Sequence, residues 1–172
     1  MELMDLYDEN RIPLGRTAER SAEIGAGECR AVVHVAIFDA AGRLLIQRRS
    51  AKKFFWPNRW DLSAAGGVDA GETPRQAAER ECLEELGYAL DLTGVRPSFT
   101  VNFDGGFDDF FLVIRDIKEN SLQLQSSEVS EVRWADLDEV LTLESSGQFV
   151  GYPESFLRFL FDMHRTFGFP NN

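Results

Sequence analysis

One short segment carries four glutamates and a well-framed helix. Thr73-Pro74 places a capping residue before a proline at the first helical position, and Gly87 supplies a stop, so the pattern predicts a helix running to Leu86. Within it stand Glu79, Glu81, Glu84 and Glu85, of which 81, 84 and 85 are related as i, i+3 and i+4. At about 3.6 residues per turn these three project from one face within a turn of each other. Like charges so placed cost an isolated helix ~0.2–0.5 kcal/mol per pair. A hard divalent cation would compensate that cost, since Mg²⁺ takes oxygen ligands and is often shared between one or two carboxylates and a substrate phosphate. A solvated acidic face is the other reading of the helix alone. The surroundings favour the cation: Gly66 and Gly71 bracket a tight loop, Glu72 stands at the helix entrance, and Arg80 lies beside Glu81.

Charge elsewhere is uneven. The 172 residues carry 18 Lys and Arg against 29 Asp and Glu, a formal charge of -11. That balance disfavours a nucleic-acid backbone or an anionic membrane as partner. Residues 43–60 run the other way: Arg43, Arg48, Arg49, Lys52, Lys53 and Arg59 occur with no acidic residue among them. Such a strip suits a bound anion, or a solvated strand edge and loop. Cys29 and Cys82 form no disulfide framework and no C-x-x-C pattern, which fits a reducing compartment. Met1 to Asn10 has no apolar core of a secretory signal, and Ala31 to Phe38 is too short to span a bilayer. The expectation is a cytoplasmic protein.

The chain shows no internal repeat and no low-complexity segment. Leu3 to Tyr7 reads as a strand followed by a reversal through Pro13 and a polar stretch to Glu28. Ala31 to Phe38 reads as a buried strand, with Arg43 to Arg49 as its hairpin partner across Asp39-Ala40-Ala41-Gly42. An aromatic loop of Phe54, Phe55, Trp56 and Trp60 follows, able to join the core, wall a pocket or stack on a nucleobase. Beyond the first helix, Ser98 to Asn102 and Phe107 to Ile114 flank Asp104-Gly105-Gly106 as a hairpin; Val129 to Trp134 reads as a strand and Asp136 to Thr142 as a short helix. A last helix from Pro153 aligns Phe156, Leu160, Met163 and Phe167 on one apolar face, either core or the surface of a homodimer. The order suggests one domain over 1–172, an α/β sandwich with a mixed sheet.

Written out, Gly66, Glu72, Arg80, Glu81, Cys82, Glu84, Glu85, Gly87 and Tyr88 resemble the Nudix box, G-x5-E-x7-R-E-U-x-E-E-x-G-U with U a bulky apolar residue. Every fixed position matches; Cys82 and Tyr88 are soft departures at U positions. The likeness covers about residues 30–145, and the N-terminal arm and the run from Val35 through Trp60 are similar to the branch that includes isopentenyl diphosphate isomerase. The resemblance implies a Nudix-type α/β/α sandwich and Mg²⁺- or Mn²⁺-dependent hydrolysis of a small-molecule diphosphate, such as a nucleoside diphosphate derivative. It implies Glu81, Glu84, Glu85 and Gly66 at the metal, Glu72 assisting and Arg80 orienting the cluster. Arg48, Arg49, Lys52, Lys53 and Arg59 are then candidates for the phosphates, with Trp56 for the substrate. Glu128 is the leading candidate for the general base, with Asp104, Asp108 and Asp109 as others; His34 and His164 read as structural. The isomerase would require a cysteine just before the box glycine, where Trp60-Asp61-Leu62-Ser63-Ala64-Ala65 has none. A Nudix-fold binding module without catalysis is the remaining alternative, and such modules usually show a degraded box.

Overall fold

The computed structural model describes residues 2–165. Its elements follow in the order β1 (Leu3–Asp8), β2 (Pro13–Glu19), β3 (Glu28–Phe38), β4 (Leu44–Arg49), β5 (Trp60–Asp61), β6 (Ala64–Gly67), α1 (Pro74–Leu86), β7 (Phe99–Phe103), β8 (Gly106–Ile114), β9 (Val129–Ala135), α2 (Leu137–Ser145) and α3 (Glu154–Met163). The strand β3 organises the rest. Residues 30–38 pair in parallel with residues 106–114 of β8. Along its other edge β3 meets three antiparallel neighbours in succession: β1 at Cys29, β6 at Val32 to Val35, and β4 at Phe38. One parallel pairing among antiparallel ones makes the sheet mixed.

Alternation along β3 divides the interior into two layers. Ala31, Val33, Val35 and Ile37 pack in a cluster with Ala77, Ala78, Cys82 and Leu86 of α1. Ala36 and Phe38 belong to a second cluster with Val140 of α2 and Leu157 and Leu160 of α3. The sheet is therefore sandwiched between α1 on one face and α2 with α3 on the other, the α/β/α form of the mixed-sheet sandwich that the element order suggested and the resemblance implied. The stripe of α3 faces this core through Leu160, with Phe156 and Met163 packed at its edge; Phe167 lies outside the described residues.

The helix α1 begins and ends where its residues dictate. The Thr73 hydroxyl accepts the Gln76 N–H, and the Gln76 side chain accepts the Thr73 N–H at 2.9 Å, a reciprocal cap. Gly87 closes the helix at φ +65 and donates its N–H to the Leu83 carbonyl. A Cβ there would stand 2.7 Å from Gln123 Cβ, so the position is restricted by space as well as by backbone.

Two expectations change. The polar stretch after Pro13 contains β2, exposed along most of its length and held by its backbone ladder to β1, which is why no hydrophobic alternation announces it. The hairpin of β3 with β4 exists only at Phe38 and Leu44, because β6 occupies the β3 edge beyond; β4 pairs instead along its whole length with β9.

Candidate active site

The loop from β6 into α1 sets two carboxylates beneath the sheet edge. Glu81 and Glu85 are both buried, while Glu84, on the outer side of the same turns, has a half-exposed side chain. Gly66 faces Glu81 so closely that a Cβ would overlap its Oε1 and stand 2.7 Å from Oε2. Glu85 Oε2 accepts the Gln47 side-chain N–H at 2.9 Å and the Ala65 backbone N–H at 3.2 Å. Burial pushes the Glu85 carboxyl up to about 7, with the neighbouring Glu81 adding to the rise and Gln47, Ala65 and Lys53 opposing it. Burial also raises Glu81, against the pull of Arg80.

Arg80 ties these groups together. Its guanidinium donates to both oxygens of Glu72 at 2.9 and 3.0 Å, to Glu81 Oε1 at 2.8 Å and to the Gly67 carbonyl at 2.9 Å, and it lies 3.4 Å from Glu84 Oε2. Those bonds, led by Glu72, raise its own pKa further. Three box residues are thus bound to one side chain and the box loop to the same side chain through Gly67.

A cleft of about 140 Å³ opens over the carboxylates, walled by Glu81, Glu84, Glu85, Arg80, Lys53 and Glu128 with Glu2, Arg20, Ala65 and Gln125. Glu128 arrives there because the backbone N–H groups of Gln123 and Gln125 donate to the Leu86 and Glu85 carbonyls, docking the incoming segment on the end of α1. Lys53 Nζ forms an ion pair with Glu128 Oε2. Among the described residues no three His, Cys, Asp or Glu side chains surround a common point. Arg80 engages Glu81 and Glu84, while Gln47 and the Ala65 N–H engage Glu85.

The structure divides the cationic strip. Lys53 enters the carboxylate cleft; Arg49, Lys52 and Lys53 line an adjoining pocket of about 620 Å³. Arg49 is itself fixed, Nη1 lying 3.0 Å from Asp61 Oδ2 and Nε donating to the Phe55 carbonyl. Arg43 pairs with Asp39 in the β3–β4 turn. Arg48 donates to the Asn58 carbonyl and sits 3.7 Å from Glu131, while Arg59 bonds the Phe149 carbonyl with its guanidinium 4.9 Å over the Trp56 ring; Arg48, Arg59 and Trp56 lie outside the walls of both spaces. In the aromatic loop only Trp60 joins the core; Phe54 and Phe55 are exposed and Trp56 half so. Nor do the three aspartates wall the carboxylate cleft. Asp109 is buried under Arg11 and Thr100, Asp108 lies 3.2 Å from His34 Nε2, and Asp104 lines separate cavities near the β7–β8 turn.

Several residues here carried no sequence signal. Gln47 is buried in β4 between Ile46 and Arg48, and its spacing does not mark it. Glu2 and Arg20 reach the cleft only because the β1–β2 hairpin folds over it, and they bond each other at 3.0 Å. On the reverse face of the sheet, His34 stacks on Phe110 and its Nδ1 lies 3.3 Å from the Tyr152 hydroxyl, which donates to Asp61, the residue that anchors Arg49. His164 stacks on Phe38 as a packing residue.

A family model described as the NUDIX domain matches residues 28–154. The chain is 46% identical over 163 residues to an uncharacterized Nudix hydrolase of Listeria monocytogenes, covering 95% of each chain. It is 33% identical over 144 residues to an isopentenyl-diphosphate Delta-isomerase of Salmonella heidelberg, covering 78% of this chain and 77% of that one. Among solved structures, a Deinococcus radiodurans protein superposes with a TM-score of 0.75 at 23% identity, over 92% of this chain and 99% of that one, a likeness of fold.

Proposed function

The chain belongs to the Nudix hydrolase family, and on that premise we propose that it is a Mg²⁺- or Mn²⁺-dependent pyrophosphohydrolase whose chemistry is carried by the cleft between α1, β6 and Glu128. The observation that supports this reading most directly is the buried pair Glu81 and Glu85, with the Glu81 carboxylate filling the space that a side chain at Gly66 would take. Two adjacent carboxylates under low dielectric are costly unless a cation joins them. The donor set suits a hard divalent ion: Glu85, Glu81, the half-exposed Glu84 and the Gly66 backbone oxygen offer oxygen only. When bound, such an ion would neutralise phosphate charge and lower the pKa of a coordinated water.

The chain's own residues divide the remaining work. Arg80 holds Glu81 in place, and Gln47 with the Ala65 N–H orients Glu85. Lys53 and Arg49 hold phosphate oxygens of the incoming diphosphate. Glu128, released as Lys53 turns to phosphate, accepts a proton from the water that attacks phosphorus; the bridging P–O bond breaks and the second phosphoryl group leaves. The described chain acts as one catalytic unit, with the β1–β2 hairpin contributing to the cleft wall.

The isomerase reading has a relative in its favour but no thiol in the box strand. Cys29 and Cys82 are both buried, and burial pushes both thiols up, Cys82 far above the ordinary range. The test is a panel of diphosphate compounds, isopentenyl diphosphate included, followed by mass spectrometry with Mg²⁺ and with EDTA. Metal-dependent cleavage that disappears in Glu85→Gln is the expected result; isomerised isopentenyl diphosphate, or no turnover of any compound, overturns the reading.

A further inference from the structure

We propose that Arg20, at the open end of the β1–β2 hairpin, is a phosphate-binding residue of the cleft, and that Glu2 occupies its guanidinium as an internal competitor until an anion displaces it. The inference rests on the pyrophosphohydrolase reading of the cleft and adds a residue from outside the stretch 28–154 that matches the family model. Position makes the first case. Among the described residues Arg20 alone lines the carboxylate cleft of about 140 Å³, the adjoining pocket of about 620 Å³ and a third space of about 520 Å³ toward the β7–β8 turn. A phosphate seated over the carboxylates therefore has this guanidinium on its wall.

The backbone around this pair is fixed, while the two side chains are left near solvent. Glu2 and Arg20 face each other across the hairpin, where the Arg20 N–H donates to the Glu2 carbonyl at 3.0 Å and Leu3 pairs with Glu19. Arg30 Nη2 donates to the Glu19 and Ala22 carbonyls on either side of Arg20, at 3.0 and 2.5 Å. On the other strand, the Ala70 and Gly71 N–H groups donate to the Leu3 carbonyl and to Asp5 Oδ2 at 2.7 and 2.8 Å. Met4 packs so closely on Gly67 that a Cβ there would stand 2.9 Å from its Cε. The hairpin end is thus held on the same box loop that Arg80 grips through the Gly67 carbonyl. By contrast the Arg20 and Glu2 side chains are 49% and 60% exposed and meet through one hydrogen bond of 3.0 Å. An ion pair so exposed adds little to stability and yields to a stronger partner. Phosphate is that partner, since it brings more charge than a carboxylate and accepts two parallel N–H bonds from a guanidinium, where Glu2 accepts one.

The charges around Glu2 are those that an anion seeks. The bond from Arg20 holds its carboxyl below the ordinary value, and Arg80 and Lys53 pull in the same direction. Three cations therefore act on one carboxylate that the hydrolytic reading leaves without a role. The reach of Arg20 extends to the box as well: burial raises the Glu81 carboxyl, and Arg20 is among the cations that oppose the rise. The arrangement repeats that of Lys53 with Glu128, so that each cation shared by the cleft and the adjoining pocket already holds a carboxylate.

The test is calorimetric binding of methylenediphosphonate, an uncleavable diphosphate, to the full chain in the presence of Mg²⁺. Variants are Glu2→Gln, Arg20→Ala, the two combined and, as a control, Arg158→Ala, which breaks a similarly exposed pair with Glu154 on α3. Arg20→Ala should weaken binding roughly tenfold through the loss of charge-assisted bonds, and Glu2→Gln should tighten it severalfold. Most of that gain should vanish in the double variant, and Arg158→Ala should bind as the parent does. Opposite signs from the two members of one ion pair separate competition from support. Were Glu2 to orient Arg20, or the pair only to clasp the hairpin, both substitutions would weaken binding. Glu2→Gln at or below the parent's affinity, a gain that persists in full without Arg20, Arg20→Ala binding as tightly as the parent, or a parent that does not bind the probe overturns the proposal. The probe is never cleaved, so a chain that turns over nothing in the panel still yields these affinities, and a hydrolase whose affinity ignores Arg20 keeps the hydrolytic reading and loses this one.

Discussion

Glu81 occupies the space that a side chain on residue 66 would need: a Cβ on Gly66 overlaps its carboxylate. Gly66→Ala therefore cannot be accommodated without moving Glu81 away from Arg80 Nη1 or shifting β6. Overpacking of this kind costs ~1–3 kcal/mol. The expected outcome is a lower Tm together with at least a tenfold loss of metal-dependent turnover. An alanine variant with full activity would show that Glu81 can leave its place without consequence.

Arg80 binds Glu72 through two oxygens while reaching Glu81 and the Gly67 carbonyl. A lysine has three donors on one nitrogen and cannot copy that fork. Arg80→Lys should lose on the order of 2–3 kcal/mol in urea unfolding, a figure that already discounts partial exposure. Charge is retained in this variant, so a stability equal to the parent would mean that charge alone, without geometry, holds the box.

Much of this frame is readable from spacing, because its causes are local. Thr73, Pro74 and Gly87 bound α1 through caps that involve neighbours in the chain, and the period of β3 separates the two core layers without knowledge of its partners. What spacing leaves out is long-range. The β2 strand is stabilised by a ladder to β1 and not by burial, and β4 leaves its hairpin because β6 competes for the same edge. The +6 strip shows why composition misleads at a site: adjacent cations on a bulged strand and a loop are dispersed among Asp39, Glu131, Asp61 and Glu128. Arg20 and Gln47 become visible only once the hairpin and the strand are folded against α1.

Glu85 couples folding to pH. Its carboxyl has an ordinary value of 4.5 and titrates at about 7 in the folded protein. Between those values the native state holds a proton that the unfolded chain has released, so unfolding becomes easier as pH rises. The stability tied to this proton is complete below about 4.5, declines through the window and is gone above about 7, a change on the order of 3 kcal/mol. In EDTA, Tm should fall by several degrees between pH 5 and 8, and Glu85→Gln should remove most of that slope. Added Mg²⁺ should restore Tm at pH 8 far more than at pH 5, because proton and cation compete for one carboxylate. A metal-free slope unchanged by Glu85→Gln would place the titrating group elsewhere.

Lys53 and Glu128 are bonded to each other across the cleft, and the proposed reaction requires both to change partner. If Glu128 takes the proton from water, Glu128→Gln should lower kcat by ~10²–10⁴ with KM nearly constant, since the amide keeps the shape and loses the base. Lys53→Met should act chiefly on KM, because a phosphate contact is lost in ground and transition states alike. In the parent the ion pair must open before either residue serves, so the two substitutions should be non-additive. The double variant should lose less than the product of the single losses. Steady-state kinetics on any diphosphate that the panel identifies decides this. A Glu128→Gln enzyme that keeps its kcat would remove Glu128 from the chemistry and leave the ion pair as a structural clasp between the aromatic loop and the strand β9.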